Sequence, residues 1–328
     1  MNIEPTYAKA SAGRRRTTHW QWQALPIMAL ALLLSACSSS GPVRPVDPEL
    51  YRTAKSARTA FGLGEYEQAA RLYRRSLNRA RAMDDAVEIG NNAYNLAACS
   101  MELSEYAQAW ELLEESRAAF HRTGEVPEGL SILEIKSALA GGNLENAEEL
   151  MESISGVDSF SPEIRIQYKL LKADLALRLD ESDKARLELS GLRDELREVG
   201  SDALNAEADR LEGKLLLRGG EFMAAGVLFD HRSDLLRKTA HYRPMAIALG
   251  RAGEAYWDGR AYCKSLDRFF RSARSLYAQE DMAESLNMLS FAMEVARDCD
   301  QESLRQNVRD LFEEIRGTME GLPTKINE

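Results

Sequence analysis

The segment Gly64-Glu65-Tyr66-Glu67-Gln68-Ala69 begins a pattern that returns five more times along the chain. Each copy closes on a small residue, and the later ones are Ala109, Ala147, Ala185, Ala225 and Ser265. These six closing residues are separated by 40, 38, 38, 40 and 40 positions. A steady period of this length is the sequence signature of a repeat protein. We therefore expect one continuous array of repeats rather than unrelated domains.

Two further positions recur in each repeat. The position four residues after the closing residue is large and apolar, as in Tyr73, Leu113, Met151, Leu189, Phe229 and Phe269. The position twelve residues before it is small in five of six repeats, and its occupants are Ala57, Ala97, Ile135, Ala173, Gly213 and Gly253. Residues four apart share one face of a helix. Each unit is thus predicted to contain two helices, the first approaching the second closely at the small residue.

This arrangement resembles the tetratricopeptide repeat in its G-x-Y-x-x-A turn segment, its large residue four positions later and its small residue twelve positions earlier. The resemblance implies an all-α fold, a right-handed α-solenoid of six to seven helix-turn-helix units over residues 48–317. The family repeat has about 34 residues, so longer helices or links are expected here. Ile135 and Ser182 make repeats three and four the weaker matches, and a seventh unit around Ala292 lacks the turn segment.

Helix boundary signals agree with this division. Ser161-Pro162-Glu163 supplies an N-cap, a first-turn proline and an acid, so repeat four is predicted to begin there. Residues 124–127 and Arg243-Pro244 are predicted to break helices before repeats three and six. Residues 318–328 are expected to form a C-terminal tail.

The amino terminus has the features of an export signal. Three arginines, Arg14, Arg15 and Arg16, precede a 13-residue apolar stretch, which is shorter than the span of about 20 residues that crosses a bilayer. The stretch ends in Leu34-Ser35-Ala36-Cys37, which resembles the bacterial lipobox. The resemblance implies a signal peptide at 1–36 and a lipid anchor on Cys37, with acyl chains such as palmitate.

A short segment follows Cys37. Residues 37–47 are rich in Ser, Gly and Pro and are predicted to be a flexible tether. Ser38 after the lipidated cysteine resembles outer-membrane lipoproteins. The expected location is therefore the cell envelope, at the outer membrane facing the periplasm if the source is Gram-negative.

The first helices of such a solenoid line a concave wall. If the family geometry holds, this wall also contains Tyr94, Met101, Gln167, Arg210 and Glu254. The residues predicted to bind a partner are Lys55, Arg58, Asn91, Asn95, Lys136, Arg178, Lys214, Arg218, Arg251 and Trp257. Cations are frequent there although the chain has a net charge of -10. This favours an anionic or carboxylate-bearing peptide as ligand. The alternatives are that these are solvated polar positions, and that Trp257 packs against a neighbouring repeat.

The two-carboxylate clamp of certain chaperone-binding tetratricopeptide domains is excluded. Asn95 occupies the matching asparagine position, but the other four positions hold Ala54, Arg58, Gly129 and Leu133. The sequence therefore predicts no such clamp in the first three repeats.

Several function classes are disfavoured by composition and motif. The acidic chain, with 42 Lys and Arg against 52 Asp and Glu, disfavours nucleic acid as partner. His121, His231 and His241 lie in no metal-ligand spacing, and no catalytic motif or cofactor loop is present in the sequence. The sequence thus predicts a lipid-anchored, non-enzymatic protein-interaction scaffold of the cell envelope, with no cofactor or metal, that binds a protein or peptide. The alternatives are an accessory subunit of an envelope secretion, pilus-assembly or solute-transport system, and a cell-wall enzyme or its activator.

The cysteines beyond Cys37 are Cys99, Cys263 and Cys299. Cys263 and Cys299 are 36 residues apart, close to one period, which places both on one edge of the array. A disulfide between them would join repeat six to repeat seven, although their offset leaves the free thiols as the alternative. Cys99 is expected to be a small buried residue of a first helix.

Overall fold

The computed structural model describes residues 47–320, which form fifteen α-helices, two short 3-10 helices and, within that range, no strand. The α-helices are α1 Pro48–Gly62, α2 Tyr66–Ala82, α3 Ala86–Glu102, α4 Tyr106–Thr123, α5 Glu128–Ala140, α6 Leu144–Ser153, α7 Pro162–Arg178, α8 Ser182–Leu189, α9 Leu192–Val199, α10 Asp202–Arg218, α11 Phe222–Lys238, α12 Tyr242–Asp258, α13 Tyr262–Tyr277, α14 Met282–Val295 and α15 Glu302–Glu320. Packing is mainly between successive helices. The protein is an all-α solenoid.

The helices form seven consecutive units over residues 47–320, each with a first and a second helix. Many helices have 17 residues, and this extra length accounts for units longer than the usual repeat. The middle of the array is less regular. In the fourth unit the second helix is divided into α8 and α9 at Gly191, which has a φ of 74°. In the third unit the ten-residue α6 is followed by the 3-10 helix Val157–Ser159.

The burial of the recurring positions confirms the register inferred from the sequence. Five closing alanines and Ser265 are all 0% exposed. A Cβ atom added to Gly213 would lie 2.8 Å from the ring of Phe229, and one added to Gly253 would lie 2.9 Å from Phe269. Separations this short leave no room for a side chain. The small position and the large position are therefore two sides of one helix-helix contact.

The turn inside each of the first six units has a left-handed residue at its first motif position. Glycine occupies it in three units, with φ values of 79° at Gly64, 78° at Gly142 and 76° at Gly220. Three other residues adopt the same conformation, and they are Ser104, Asp180 and Arg260. Glycine is favoured here because it has no Cβ to clash with the backbone. The turn geometry is thus retained even where the sequence departs from glycine.

Two predicted helix boundaries are confirmed and one is wrong in detail. The Ser161 hydroxyl accepts a hydrogen bond from the Ile164 amide and caps α7, and Gly124 ends α4 with a φ of 78°. The break predicted at Arg243-Pro244 lies earlier, because α12 already begins at Tyr242. Proline is tolerated in the first turn of a helix, where its missing N–H has no intrahelical acceptor.

Both ends of the folded array extend beyond their predicted limits. Asp47, placed in the tether by the sequence, caps α1 by accepting hydrogen bonds from the amides of Glu49 and Leu50. Helix α15 runs to Glu320, three residues past the predicted end at 317. The predicted signal peptide, Cys37 and the tether before Asp47 lie outside the described residues. Among the helices that are described, none combines the length and apolar character needed to cross a membrane.

Candidate functional site

The most distinctive polar feature of the molecule is a group of charged side chains on the first helices of units three, four and five. Residues seven apart, or three and four apart, share one face of a helix, so α7 and α10 each present several of these residues together. We call this group the central cluster, and its members are Lys136, Gln167, Asp174, Arg178, Glu207, Arg210, Lys214 and, from α11, Arg232.

Asp174 of α7 is the acidic centre of the central cluster. Its side chain is only 8% exposed and lies 3.2 Å from Arg178, 3.3 Å from Arg210 and 3.5 Å from Lys214. Burial alone would raise the pKa of Asp174, but Arg210, Lys214 and Arg178 together hold it below its usual value. One ionised carboxylate is therefore shared by three cations.

Glu207 and Arg210 form the second ion pair, one turn apart on α10. Their side chains approach to 2.5 Å between Arg210 Nη2 and Glu207 Oε1. Burial disfavours the charge on both groups, yet their mutual attraction keeps the pKa of Glu207 below its ordinary value and that of Arg210 above it. Arg210 also reaches Asp174, so α7 and α10 are joined by one continuous ionic network.

Two cations of the central cluster have fewer acidic partners. The Lys136 ammonium donates a 3.0 Å hydrogen bond to the amide oxygen of Gln167, which carries no charge. Burial lowers the pKa of Lys136, against the opposing fields of Glu207 and Glu102. Arg232 has a buried Nε atom without a hydrogen-bond acceptor, and burial lowers its pKa as well. Positive charge thus exceeds negative charge at this place.

The structure brings together three of the residues predicted to bind a partner, Lys136, Arg178 and Lys214. Arg178 also donates to the Leu139 carbonyl at 2.9 Å, which ties α7 to the end of α5. These predicted cations are therefore in contact with carboxylates, amides and carbonyls of the protein itself.

The other predicted wall residues pair with side chains or backbone of the protein, or are exposed. Arg218 pairs with Asp180 at 2.9 Å, and Arg251 pairs with Glu254 at 2.6 Å, one turn away. The Asn95 amide donates to the backbone carbonyl of Asn91. Three more of the predicted residues are exposed, and they are Lys55 and Arg58 on α1 and Asn91 on α3.

Trp257 has the packing role that the sequence left as an alternative. Its ring meets Phe269 edge-on at 6.3 Å and Phe291 at 6.2 Å, and these two phenylalanines stack at 5.5 Å. The side chain belongs to the apolar core between units six and seven. Trp257 is therefore explained by packing without a bound partner.

The cysteines complete this end of the array. Cys263, at the start of α13, forms a disulfide with Cys299, and their Cα atoms lie 4.9 Å apart. Cys299 precedes α15, so the bond links unit seven to unit six. Cys99 is a buried free thiol whose pKa burial raises to about 12. A thiol in that state is a packing group rather than a nucleophile.

Sequence reasoning missed the acidic half of the central cluster, Asp174 and Glu207, because it looked for cations on the concave wall. The spacing could have shown that both acids lie on the same helix face as the predicted residues. Asp174 lies seven residues after Gln167, and Glu207 lies three residues before Arg210. Arg232 had no such signal, since it belongs to a second helix.

A separate ionic group lies on the opposite face of α10. Asp209 is fully buried and accepts from Arg193 at 2.8 Å, while its other oxygen lies 2.7 Å from Nδ1 of His231. Arg193 also pairs with Glu212. These bonds join α9, α10 and α11 and compensate the division of the second helix of unit four. Across residues 47–320, no group of His, Cys, Asp and Glu is arranged to hold a metal ion.

Comparison with known proteins shows that the chain resembles solved structures in fold but matches no family model. No family model and no curated protein matches the chain. Among solved structures, it is similar to a signal transduction ATPase with a tetratricopeptide repeat sensor from Pyrococcus horikoshii, with a TM-score of 0.48 at 13% identity. That match covers 82% of this chain but only 42% of the ATPase chain.

Two other solved structures resemble the chain over most of its length. BtubC from P. vanneervenii gives a TM-score of 0.41 at 14% identity, covering 86% of this chain and 96% of that one. The apo form of RapI gives 0.46 at 10% identity, covering 83% and 86%. Likenesses this distant say nothing about function, so the function has to be argued from the residues of this chain.

Proposed function

We propose that this protein is a lipid-anchored, non-enzymatic interaction scaffold of the bacterial cell envelope that binds a protein or peptide partner along the first helices of its solenoid. The observation that carries the proposal is the central cluster, which gathers cations on three successive first helices and leaves the Lys136 ammonium with an uncharged hydrogen-bond partner. Charged groups in such a position are expensive for folding alone, because burying ions costs more than their pairing returns. A binding role accounts for that cost.

The same proposal holds that the protein is not an enzyme. The carboxylates of the central cluster, Asp174 and Glu207, have pKa values below the ordinary range because cations surround them. A carboxylate held ionised in this way is a weak general base, and the one described free thiol, Cys99, is buried. These features support binding over catalysis.

The anchor rests on the lipobox-like segment that ends at Cys37. A lipid on that residue would hold the solenoid at the membrane, with the tether leaving its surface free for a partner. Replacing Cys37 with Ala is expected to block lipidation and cleavage of the signal peptide. The variant should then accumulate as an uncleaved or soluble precursor without lipid. If the Cys37→Ala variant is labelled by palmitate and fractionates like the parent protein, the anchor proposal is wrong.

The binding surface is tested by placing a photo-crosslinking amino acid at chosen positions in living cells. Asn91 and Arg251 on first helices probe the proposed surface, whereas Leu187 and Val227, which are 72% and 57% exposed on second helices, are matched controls. We expect a defined adduct with one protein from the first-helix positions and none from the controls. Adducts from the controls alone would place the interface elsewhere and refute the proposed surface.

A further inference from the structure

The charge balance of the central cluster is the starting point. Five cations meet there, and they are Lys136, Arg178, Arg210, Lys214 and Arg232. The carboxylates acting on them are Asp174, Glu207, Glu102 and, at Arg232, Asp209, which also pairs with Arg193. About one positive charge therefore remains without a counter-charge, in a chain whose net charge is -10.

The cations of the central cluster also have hydrogen-bond donors that no acceptor uses. An ammonium group has three donors, and that of Lys136 has one close acceptor, the Gln167 amide oxygen. Arg232 Nε is buried and has none. Lys214 is held only by Asp174, at 3.5 Å, a distance longer than a good hydrogen bond. Three cations therefore have unused donors, against one buried acceptor of the central cluster without a hydrogen bond, Asp174 Oδ1.

Lys214 and Arg210 can be reached from solvent along the first helices, a surface that we call the groove. The side chains of Lys214 and Arg210 are 42% and 20% exposed, whereas Asp174 beneath them is only 8% exposed. Basic groups thus lie on the accessible side of the central cluster and the acid lies below. A ligand that enters the groove meets donors first.

We propose that the central cluster binds carboxylates of an acidic segment of the partner protein, with Lys136 and Lys214 as the principal contacts. This inference rests on the proposed scaffold function and names the chemistry of its ligand. Carboxylates are acceptors without donors, and they match a site with surplus donors. The remaining positive charge and the unused donors suit one or two carboxylates of such a segment.

Binding of a labelled hexaglutamate peptide tests the proposal, with hexaglutamine as the uncharged control. The full chain is held in non-ionic detergent at low salt, and affinity is read by fluorescence anisotropy. Lys136→Met and Lys214→Met are each expected to weaken hexaglutamate binding about tenfold, since a charge-assisted hydrogen bond is lost. Lys184→Met is the matched control, because Lys184 lies on α8 and pairs with Glu181.

The outcomes separate the ligand chemistry from the scaffold function. Retained affinity in Lys136→Arg and loss in both methionine variants support the proposal, provided that their thermal melts match the parent. Equal affinity in Lys136→Met, Lys214→Met and Lys184→Met overturns it. Binding of inorganic phosphate without binding of hexaglutamate also overturns it, in favour of a small-anion site. If the first-helix crosslink persists in both variants while hexaglutamate fails to bind, the scaffold function stands and this inference alone is wrong.

Discussion

The centre of the solenoid and its C-terminal end both have apolar cores, but they differ in the contacts that are added to those cores. In units three to five, ion pairs around Asp174 join α7 to α10, and a hydrogen bond from Arg178 to the Leu139 carbonyl joins α7 to α5. In units six and seven, α12, α13 and α14 are joined by the rings of Trp257, Phe269 and Phe291, and the Cys263–Cys299 disulfide adds a covalent link.

This difference indicates that the contacts at the C-terminal end serve stability, whereas those at the centre serve binding. Stacked rings gain free energy by leaving water and need no further partner. Buried ions lose hydration and are stabilised only as far as opposite charges surround them. The C-terminal end is thus complete as it stands, as suits the end of a repeat array, whereas the centre carries a surplus of charge that a ligand can neutralise.

The largest expected effect belongs to the apolar end. Phe269 is 0% exposed and touches both other rings, so Phe269→Ala removes contacts that nothing can refill. We expect a loss of about 3–5 kcal/mol in the free energy of unfolding by urea. Tyr242→Ala, at a side chain that is 54% exposed, is the control and should change little. Similar losses in the two variants would contradict the view that this end is held by packing.

A smaller loss is expected from the ionic centre. Asp174→Ala leaves Arg178, Arg210 and Lys214 without their shared carboxylate, which should cost about 3 kcal/mol at neutral pH. The pKa of Asp174 lies below its unfolded value of 3.8, so its contribution is present above that pH and is lost as the pH falls through the lowered value.

The measurement is a set of urea melts of the parent and of Asp174→Ala at several pH values. The gap between the two proteins should be widest at neutral pH and should close in acid. A gap that is constant down to acidic pH would mean that the carboxylate acts through its shape and not through its charge.

The disulfide should contribute about 2–4 kcal/mol, because it closes a loop of 36 residues in the unfolded chain. Reductant is expected to lower the unfolding free energy of the parent protein by this amount and to leave Cys299→Ala unchanged. A non-reduced digest analysed by mass spectrometry should contain the linked peptides. Two free thiols at Cys263 and Cys299 in that digest would remove the covalent link from the comparison.

Most of the fold follows from the sequence because its determinants are local and periodic. The closing alanines, the small positions such as Gly213 and the large ones such as Phe229 lie at fixed spacings, and one contact explains all three. The division of α8 from α9 was not predicted. Gly191 introduces it without disturbing the period, since the interruption lies within a unit and not between units.

The site follows from the sequence only in part. Placing cations such as Lys136 and Lys214 on the first helices required only the repeat register. Their pairing depends on distances between different units, and Asp174 reaches residues of α10 from α7. Arg251 and Trp257 stand in similar positions, yet Arg251 pairs within its own helix and Trp257 packs against Phe291 of the next unit. Sequence periodicity predicts the helix face on which a residue lies, but not the residue of a neighbouring helix that it contacts.

The turns offer the smallest and most controlled comparison of the two regions. Arg260, at the C-terminal end, and Asp180, in the centre, occupy the same motif position with φ values of 58° and 62°. A left-handed residue other than glycine is strained, and glycine relieves the strain at some cost in chain entropy. Arg260→Gly is therefore expected to raise the unfolding free energy by about 0.5–1 kcal/mol. Asp180→Gly should gain less, because it also loses the ion pair with Arg218. Gly220→Ala, with a φ of 76°, should destabilise by about 1 kcal/mol, and a stabilising result there in urea melts would refute the strain argument for all three turns.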